Sequence, residues 1–417
     1  MGAGDEMRIM IIGAGIIGVT AAHALLDAGC EVTLVDPGGI AAGASQGNAG
    51  WIAHVDILPL ASPKAWRNLP RWLMDPLGPL AIRPAYLPTL APWLLRFLAA
   101  SRPHRVEAST RALADLNGQA LRAWEDRLAG LGLGHHLRPR GFLTVWDNPA
   151  LTPTMAALAK TQGGYGIPSQ VLDRSGVTAL EPVLEDGASA GGIWYPTGCH
   201  VSDPAVLTRA LGTAALERGA RLVQAEVRGL SDDGSRASVV LASGEILVAD
   251  AAILAAGAWA KPLAAQVGDA VPLDTERGYN VTLPSGSLGL TRPVIFEGHG
   301  FVISPLDSGD RLGGAVEFAG LKAEPNYARV DALIARARRF VPNGRFDGGT
   351  RWMGFRPSIP DSLPVIGPSR TARRVFHAFG HGHYGLTQAA ITAEILAAQV
   401  LGRPTPLNAA PFSAQRF

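Results

Sequence analysis

Three glycines and one acid within the first forty residues have the types and spacing to hold a dinucleotide. In Gly13-Ala14-Gly15-Ile16-Ile17-Gly18 the first glycine allows a tight turn and the second lets backbone approach a pyrophosphate. Gly18 permits close helix–strand packing, and the helix that opens here, Ile17 included, offers free N–H groups and partial positive charge to phosphate oxygens. Asp36 lies 18 residues beyond Gly18, near the ~20 expected of an acid that binds ribose hydroxyls. An acid there disfavours a 2′-phosphate, so NADP is disfavoured. These residues alone leave the choice among other dinucleotides open.

The elements around them fit that reading. The apolar run Ile9–Ile12 is short enough for a buried parallel strand, a helical stretch runs to Ala28 with Gly29 placed to end it, and Glu31–Val35 reads as a second strand. Strand, glycine turn, helix, strand and acid form one βαβ unit. Further along, Thr110–Leu128 reads as a helix, and Ser202-Asp203-Pro204 starts another with Pro at the favoured first position. Leu222–Val227 reads as a strand, Ser238–Leu241 and Glu245–Val248 as a hairpin, and Ala251–Ala256 as a buried strand ending at Gly257. Val271–Phe340 reads as antiparallel β structure closed by a helix at Ala328–Phe340. The chain then returns to strand Val375–Ala378, a glycine-rich turn and helix Gln388–Leu401. The expected class is α/β with an α+β second domain. A Rossmann-type domain made of residues 7–60, 175–270 and 350–405 is interleaved with a substrate domain of residues 61–174 and 271–349.

Composition narrows the remaining classes. A chain of 417 residues with 47% hydrophobic content buries a core without disulfide or metal staples. Net charge is only +2, which argues against a nucleic-acid partner bound through bulk charge. Two cysteines, Cys30 and Cys199, with no CxxC and no nearby ligand pair argue against a zinc site, and no metal is expected. No stretch reaches 18 uninterrupted apolar residues and no secretory signal is visible, so the expected location is cytoplasmic.

Several ordered motifs carry a family resemblance over nearly the whole chain. They are Ala44-Ser45-Gln46-Gly47-Asn48-Ala49-Gly50, Pro79-Leu80-Ala81-Ile82-Arg83-Pro84, Gly354-Phe355-Arg356-Pro357, Pro360-Asp361-Ser362-Leu363-Pro364-Val365-Ile366-Gly367 and Gly380-His381-Gly382-His383-Tyr384-Gly385-Leu386-Thr387. In these the sequence resembles the D-amino-acid oxidase superfamily, and most closely its bacterial D-amino-acid dehydrogenase branch. The resemblance implies FAD as cofactor and a substrate domain built on an antiparallel sheet. It implies that Ser45, Asn48 and Gly50 pass along the flavin, that Gly257 and Trp259 pack near the pyrophosphate, and that Val227 contacts adenine through its backbone. Gly380, His381, Gly385, Leu386 and Thr387 would face the flavin pyrimidine, where a helix N-terminus stabilises the charge of reduced flavin. Relatives that attach flavin covalently use a cysteine just before the Pro-Asp motif. Here that region is Thr350-Arg351-Trp352-Met353, so the FAD is expected to be non-covalent.

On the substrate side, Arg356 matches the family's arginine for the amino-acid carboxylate, whose planar fork makes a bidentate pair. Tyr279 matches a carboxylate-binding or pocket tyrosine. The alternatives are that Arg356 pairs with Asp361 and that Tyr279 fills a core position. His54 and His299 are pocket candidates, and Arg277 and Glu297 have no assigned role. The implied activity is hydride transfer from the Cα of a D-amino or D-imino acid to flavin N5, with electrons passing to an acceptor other than NAD, such as quinone or an electron-transfer protein. With no clear fixed acid for a basic side chain, a small cyclic substrate such as D-proline or 4-hydroxy-D-proline is favoured. Rival readings are an oxygen-using glycine, sarcosine or D-amino-acid oxidase and a non-catalytic flavoprotein subunit. Finally, Lys64, Arg67, Arg71, Arg83, Arg96, Arg102 and Arg105 mix with Trp66, Trp72 and Trp93 against the acids Asp75 and Glu107. Such a segment suits either peripheral contact with the inner face of an anionic membrane or a helical cap over the active site.

Overall fold

The computed structural model describes residues 6–63, 77–78 and 80–417. The βαβ unit forms where the sequence places it. Strand Arg8–Ile12 enters the glycine turn, helix Ile16–Asp27 follows, and strand Glu31–Val35 pairs in parallel with the first. These strands sit inside a six-stranded sheet whose spatial order is Arg221–Val223, Glu31–Val35, Arg8–Ile12, Ala251–Leu254, Val375–Phe379, Val365–Pro368. All neighbours are parallel except the last pair. Parallel strands buried on both faces explain why Ile9–Ile12 and Ala251–Leu254 read as continuous apolar runs, and why Val375–Phe379 is apolar apart from His377. Helix Gly385–Val400 packs beside Ile16–Asp27 in the same core.

The second body is a nine-stranded, largely antiparallel sheet built around the long strands Asp274–Leu283, Gly309–Phe318 and Thr350–Ser358. Two of its pairings are parallel: Val294–Phe296 with Phe142–Trp146, and Leu80–Ile82 with Gly309–Phe318. The sheet reaches beyond the expected substrate ranges. Gly191–Tyr195 pairs with Phe142–Trp146, and Thr350–Ser358 runs in register along the whole of Asp274–Thr282. The chain crosses into the parallel sheet only at Val365.

Other departures have local causes. The helix expected at Thr110–Leu128 is two helices, Pro103–Gly118 and Ala120–Gly130, interrupted after Gly118. Their apolar sides, including Leu113, Leu116 and Trp124, pack into the core of the dinucleotide half although they lie in the expected substrate range. The strand expected at Leu222–Val227 splits at Val223, because the chain there leaves the parallel sheet to begin an antiparallel meander at Val227. Helix Pro204–Glu217 starts as expected, with Asp203 accepting from the Ala205 and Val206 N–H groups.

A buried hydrogen-bonded pair ties strand Val375–Phe379 to the segment that follows helix Ala260–Gln266. His377 Nε2 lies 2.7 Å from Asp269 Oδ2, both side chains fully buried. Burial alone would raise the Asp269 carboxyl, but the His377 and Ser369 hydrogen bonds hold it below the ordinary value. A depressed folded-state value stabilises the fold above the unfolded Asp range and loses that contribution as pH falls through it. Asp269→Ala, which leaves the buried imidazole without its acceptor, is expected to lower stability by about 1–3 kcal/mol in denaturant melts at pH 7.

Candidate active site

The two bodies enclose one large cavity of about 1820 Å³, well above the ~300–1,000 Å³ of an ordinary ligand pocket and wide enough for a dinucleotide plus substrate. Its floor at one end is the glycine turn. Gly13 has φ +114°, and a Cβ there would lie 2.4 Å from the Ala255 carbonyl oxygen. Gly15 and Ile17 line the cavity, while Gly18 packs underneath against the Gly13 carbonyl. The helix beginning at Ile16 has no side-chain cap, and Ser45 Oγ accepts from the Ile16 N–H at 2.8 Å. Asp36 reaches the wall, its carboxylate accepting from the Ala14 and Gly38 N–H groups, both at 2.9 Å. Val227, Gly257 and Trp259 close this end.

The middle of the cavity runs past Ser45, Asn48 and Gly50 to the start of the last helix. Two sheet residues fasten that strip: Asn280 Nδ2 donates to the Gly47 carbonyl at 2.6 Å, and Arg311 donates to the Asn48 carbonyl at 2.7 Å. Asn280 and Trp51 also line the wall, and among the described residues the buried Asn280 Oδ1 and Trp51 Nε1 have no hydrogen-bond partner, which suits a polar ring system in the cavity. His381, Gly385 and Leu386 line the opposite side. Gly380 and Thr387 lie behind it, Thr387 accepting from the Ala53 N–H at 2.9 Å. Burial lowers the His381 imidazole to about 3, so this ring is a neutral strut against Thr392.

The far end presents Arg356. Among the described residues it makes one long hydrogen bond, 3.4 Å, to the Ala315 carbonyl, and forms no salt bridge. Asp361, the alternative partner, is bound instead by Arg416 at 2.8 Å. Burial lowers the Arg356 guanidinium from its ordinary value, and Glu276 opposes that shift. Gly278 makes room for it, since a Cβ there would meet Arg356 Cζ at 2.3 Å. The Ala315 carbonyl is aimed by a bulge at which Ala315 itself takes φ +51°.

The other three candidates are not free for substrate in the same way. The Tyr279 hydroxyl donates to Glu317 at 2.5 Å and accepts from the Asn326 N–H, so this residue supplies wall and not an open hydroxyl. His299 lines the cavity but is tied to Asp147 at 2.9 Å, which also binds Arg339. His54 lies between the Ile52 carbonyl and Thr197, outside the cavity lining. Arg277 is fully buried on the Gly320 carbonyl.

Two cavity residues, His383 and Asp56, and the buried Glu276 were missed in the sequence. His383 and Glu276 form a pair at 2.7 Å beside Arg356. Asp56 lines the wall, and burial, reinforced by Glu297, pushes its carboxyl up to about 7. His383 was visible inside the Gly380–Thr387 motif, whereas Asp56 carried no pattern.

Comparison with known proteins matches this architecture. A family model described as FAD dependent oxidoreductase (DAO) matches residues 8–399. The chain belongs to the DAO family. Its cofactor is therefore FAD, and the cavity fits it. Members similar over 99% of both chains include a D-amino-acid oxidase from Bradyrhizobium diazoefficiens at 37% identity and a D-amino acid dehydrogenase from the same organism at 31%. Among solved structures, glycine oxidase from Geobacillus kaustophilus superposes with a TM-score of 0.75 at 24% identity, covering 99% of each chain. L-Proline dehydrogenase from P. horikoshii does so with 0.75 at 20%, covering 99% of this chain and 98% of that one. At these identities the last two establish the DAO fold alone. Within this DAO protein, Asp36→Ala is expected to weaken FAD retention by about 1–3 kcal/mol, read as flavin lost on gel filtration, with the order of substrates unchanged.

Proposed function

We propose that this protein is a D-amino-acid dehydrogenase that passes electrons to an acceptor other than NAD, such as a quinone or an electron-transfer protein. The observation that carries the reading is Arg356, a guanidinium that forms no salt bridge among the described residues and stands at the substrate end of an FAD-sized cavity. Arg356 binds the carboxylate through its fork and so fixes which hydrogen of Cα faces the flavin. FAD, when bound, would supply the two-electron oxidising power. The product imine hydrolyses in water to a keto acid or, from a cyclic substrate, remains a cyclic imine. The FAD is held without a covalent link: both cysteines are buried, and neither lines the cavity.

The oxidase reading is favoured by the name of the 37%-identical relative, a D-amino-acid oxidase. Peroxide formation against quinone reduction, measured on one preparation, separates the two. Rapid quinone reduction with little peroxide is expected, and stoichiometric peroxide would establish the oxidase. The non-catalytic subunit reading leaves Arg356, which lines the cavity, without a use.

Side-chain preference has two candidates. D-Proline and 4-hydroxy-D-proline rested on the absence of a fixed acid. Asp56 and Glu297, however, both line the cavity, and no hydrogen bond or ion pair of either carboxylate is found among the described residues. That observation favours D-amino acids with a cationic side chain. Comparing kcat/KM for D-lysine, D-arginine and D-proline decides between them, and Asp56→Asn should lower the cationic substrates selectively by about tenfold or more.

We propose a cytoplasmic location, with peripheral contact at the inner membrane face as a further proposal. Of the basic, aromatic segment, Lys64, Trp66, Arg67, Arg71, Trp72 and Asp75 lie outside the described residues, as does Pro79 of the family motif. Trp93 is buried, bonded to the Ser358 carbonyl, and Arg83 is paired with Glu317, which supports the capping role for those two. Helix Leu87–Ala100 still exposes Leu95 and Leu98. Among the described residues no helix is long and apolar enough to cross a membrane. Co-sedimentation with anionic vesicles at low salt tests surface contact.

A further inference from the structure

The turn that opens the last helix holds an imidazole for which carboxylate binding has no use. His383 lies in Gly382–Tyr384 and lines the cavity. Its Nε2 is 2.7 Å from Glu276 Oε2, and Ser358 Oγ donates to Glu276 Oε1 at 2.5 Å. Both carboxylate oxygens are thus engaged, and Glu276 is almost fully buried. Burial alone would raise the Glu276 carboxyl, but the charge and hydrogen bond of His383, with Ser358 and Arg356, hold it below its ordinary value.

Position follows from the sheet. Glu276 is the direct cross-strand partner of Arg356, and residues so paired project from the same face. The His383 turn rests on that strand: a Cβ at Gly382 would lie 3.9 Å from the Pro357 carbonyl oxygen. Arg356 and His383 therefore line the cavity together, with the buried Glu276 paired to His383 and standing across the strand from Arg356. A carboxylate accepts only, so Nε2 carries the proton and Nδ1 presents its lone pair. No protein partner of Nδ1 is found among the described residues.

We propose that His383, oriented by Glu276, is the base that removes a proton from the α-ammonium of the substrate whose carboxylate Arg356 holds. The proposal rests on the D-amino-acid reading above. The ammonium N–H bond breaks and its electron pair stays on nitrogen. The proton bonds to Nδ1, and Glu276 balances the resulting imidazolium. The neutral amine's lone pair then forms the C=N bond as the Cα–H pair leaves for the bound flavin, the two-electron oxidant. His383 is catalytic in this scheme, and Glu276 is a positioning residue. The other groups facing this corner are Arg356 on the strand beneath, Tyr384 in the same turn and Asp56 across the cavity. His381 points away, to Thr392.

The test is the pH profile of anaerobic flavin reduction by the holoenzyme, with D-alanine, D-proline and D-lysine as probes. In the wild type, reduction should fall on the acid side as the imidazole takes its proton from solvent. In His383→Asn, only substrate that is already neutral can react. The rate at pH 7 should drop by about 10²–10⁴-fold. It should then climb about tenfold per pH unit towards the titration of the amine itself. Flavin content and the spectral response to propionate, a carboxylate without an amine, should be unchanged. Glu276→Gln keeps a hydrogen-bonding group but removes the charge, and should move the acid limb to lower pH.

A His383→Asn profile that superimposes on the wild type overturns the proposal and leaves the functional reading standing. If His383→Asn loses its flavin, Glu276→Gln decides, and an unmoved acid limb is the contrary result. Wild-type flavin left unreduced by every probe refutes the functional reading and this proposal with it.

Discussion

Arg356→Ala is expected to lower kcat/KM for amino acids by about 10²-fold or more, mostly through KM, while FAD stays bound. The magnitude follows from removing one partner of a desolvated charge pair, which costs about 2–5 kcal/mol, or roughly 1.5 to 3.5 decades. The specificity of the effect follows from what Arg356 does not hold together. It makes one long hydrogen bond to Ala315 and is not the partner of Asp361, which Arg416 binds. The fold therefore loses little with it. Arg356→Lys should fall between, keeping charge but losing the fork. A variant with wild-type kcat/KM would remove the carboxylate role.

Gly13→Val should have the largest effect on the holoenzyme. At φ +114° the backbone lies outside the region an L side chain tolerates, which alone costs about 1–3 kcal/mol. The Cβ would also meet the Ala255 carbonyl oxygen at 2.4 Å, on a backbone that cannot move away without disturbing strand Ala251–Leu254. The variant should purify without flavin, and its melting temperature should drop by at least several degrees. Flavin absorbance per mole of protein and a thermal melt read both. Full retention of FAD would mean that the turn does not need glycine there.

How far the sequence reached depends on the range of the interaction concerned. The βαβ unit was legible because each part is local: glycines for the turn, a helix stop at Gly29, an acid after the second strand. The helix at Pro204 and the hairpin around Ser243-Gly244 were legible for the same reason. The sharing of strands between sheets was not. Thr350–Ser358 joins the large sheet because it matches residues 274–282 one for one, a pairing across 68 to 84 positions that no periodicity announces.

The site shows the same division. The dinucleotide residues came from the glycine and flavin-strip motifs, and those expected to touch it line the cavity except Gly18, Gly380 and Thr387, which pack behind the wall. Tyr279 was read by motif, but its hydroxyl belongs to the Glu317 side of the sheet, which only the bulge opposite Gly278 explains. Glu276 could not be singled out at all. Its meaning comes from standing across from Arg356 and under His383, a hundred residues away in sequence.

The most direct measurement is anaerobic bleaching of the flavin band near ~450 nm, an absorbance set by the cofactor itself. The purified chain would be challenged with matched D- and L-amino acids, both prolines and sarcosine. A D-amino-acid dehydrogenase should bleach with the D-enantiomers, stay oxidised with the L-enantiomers, and reoxidise slowly when air is admitted. Bleaching by L-enantiomers or by sarcosine alone, or by none of the panel, would contradict it.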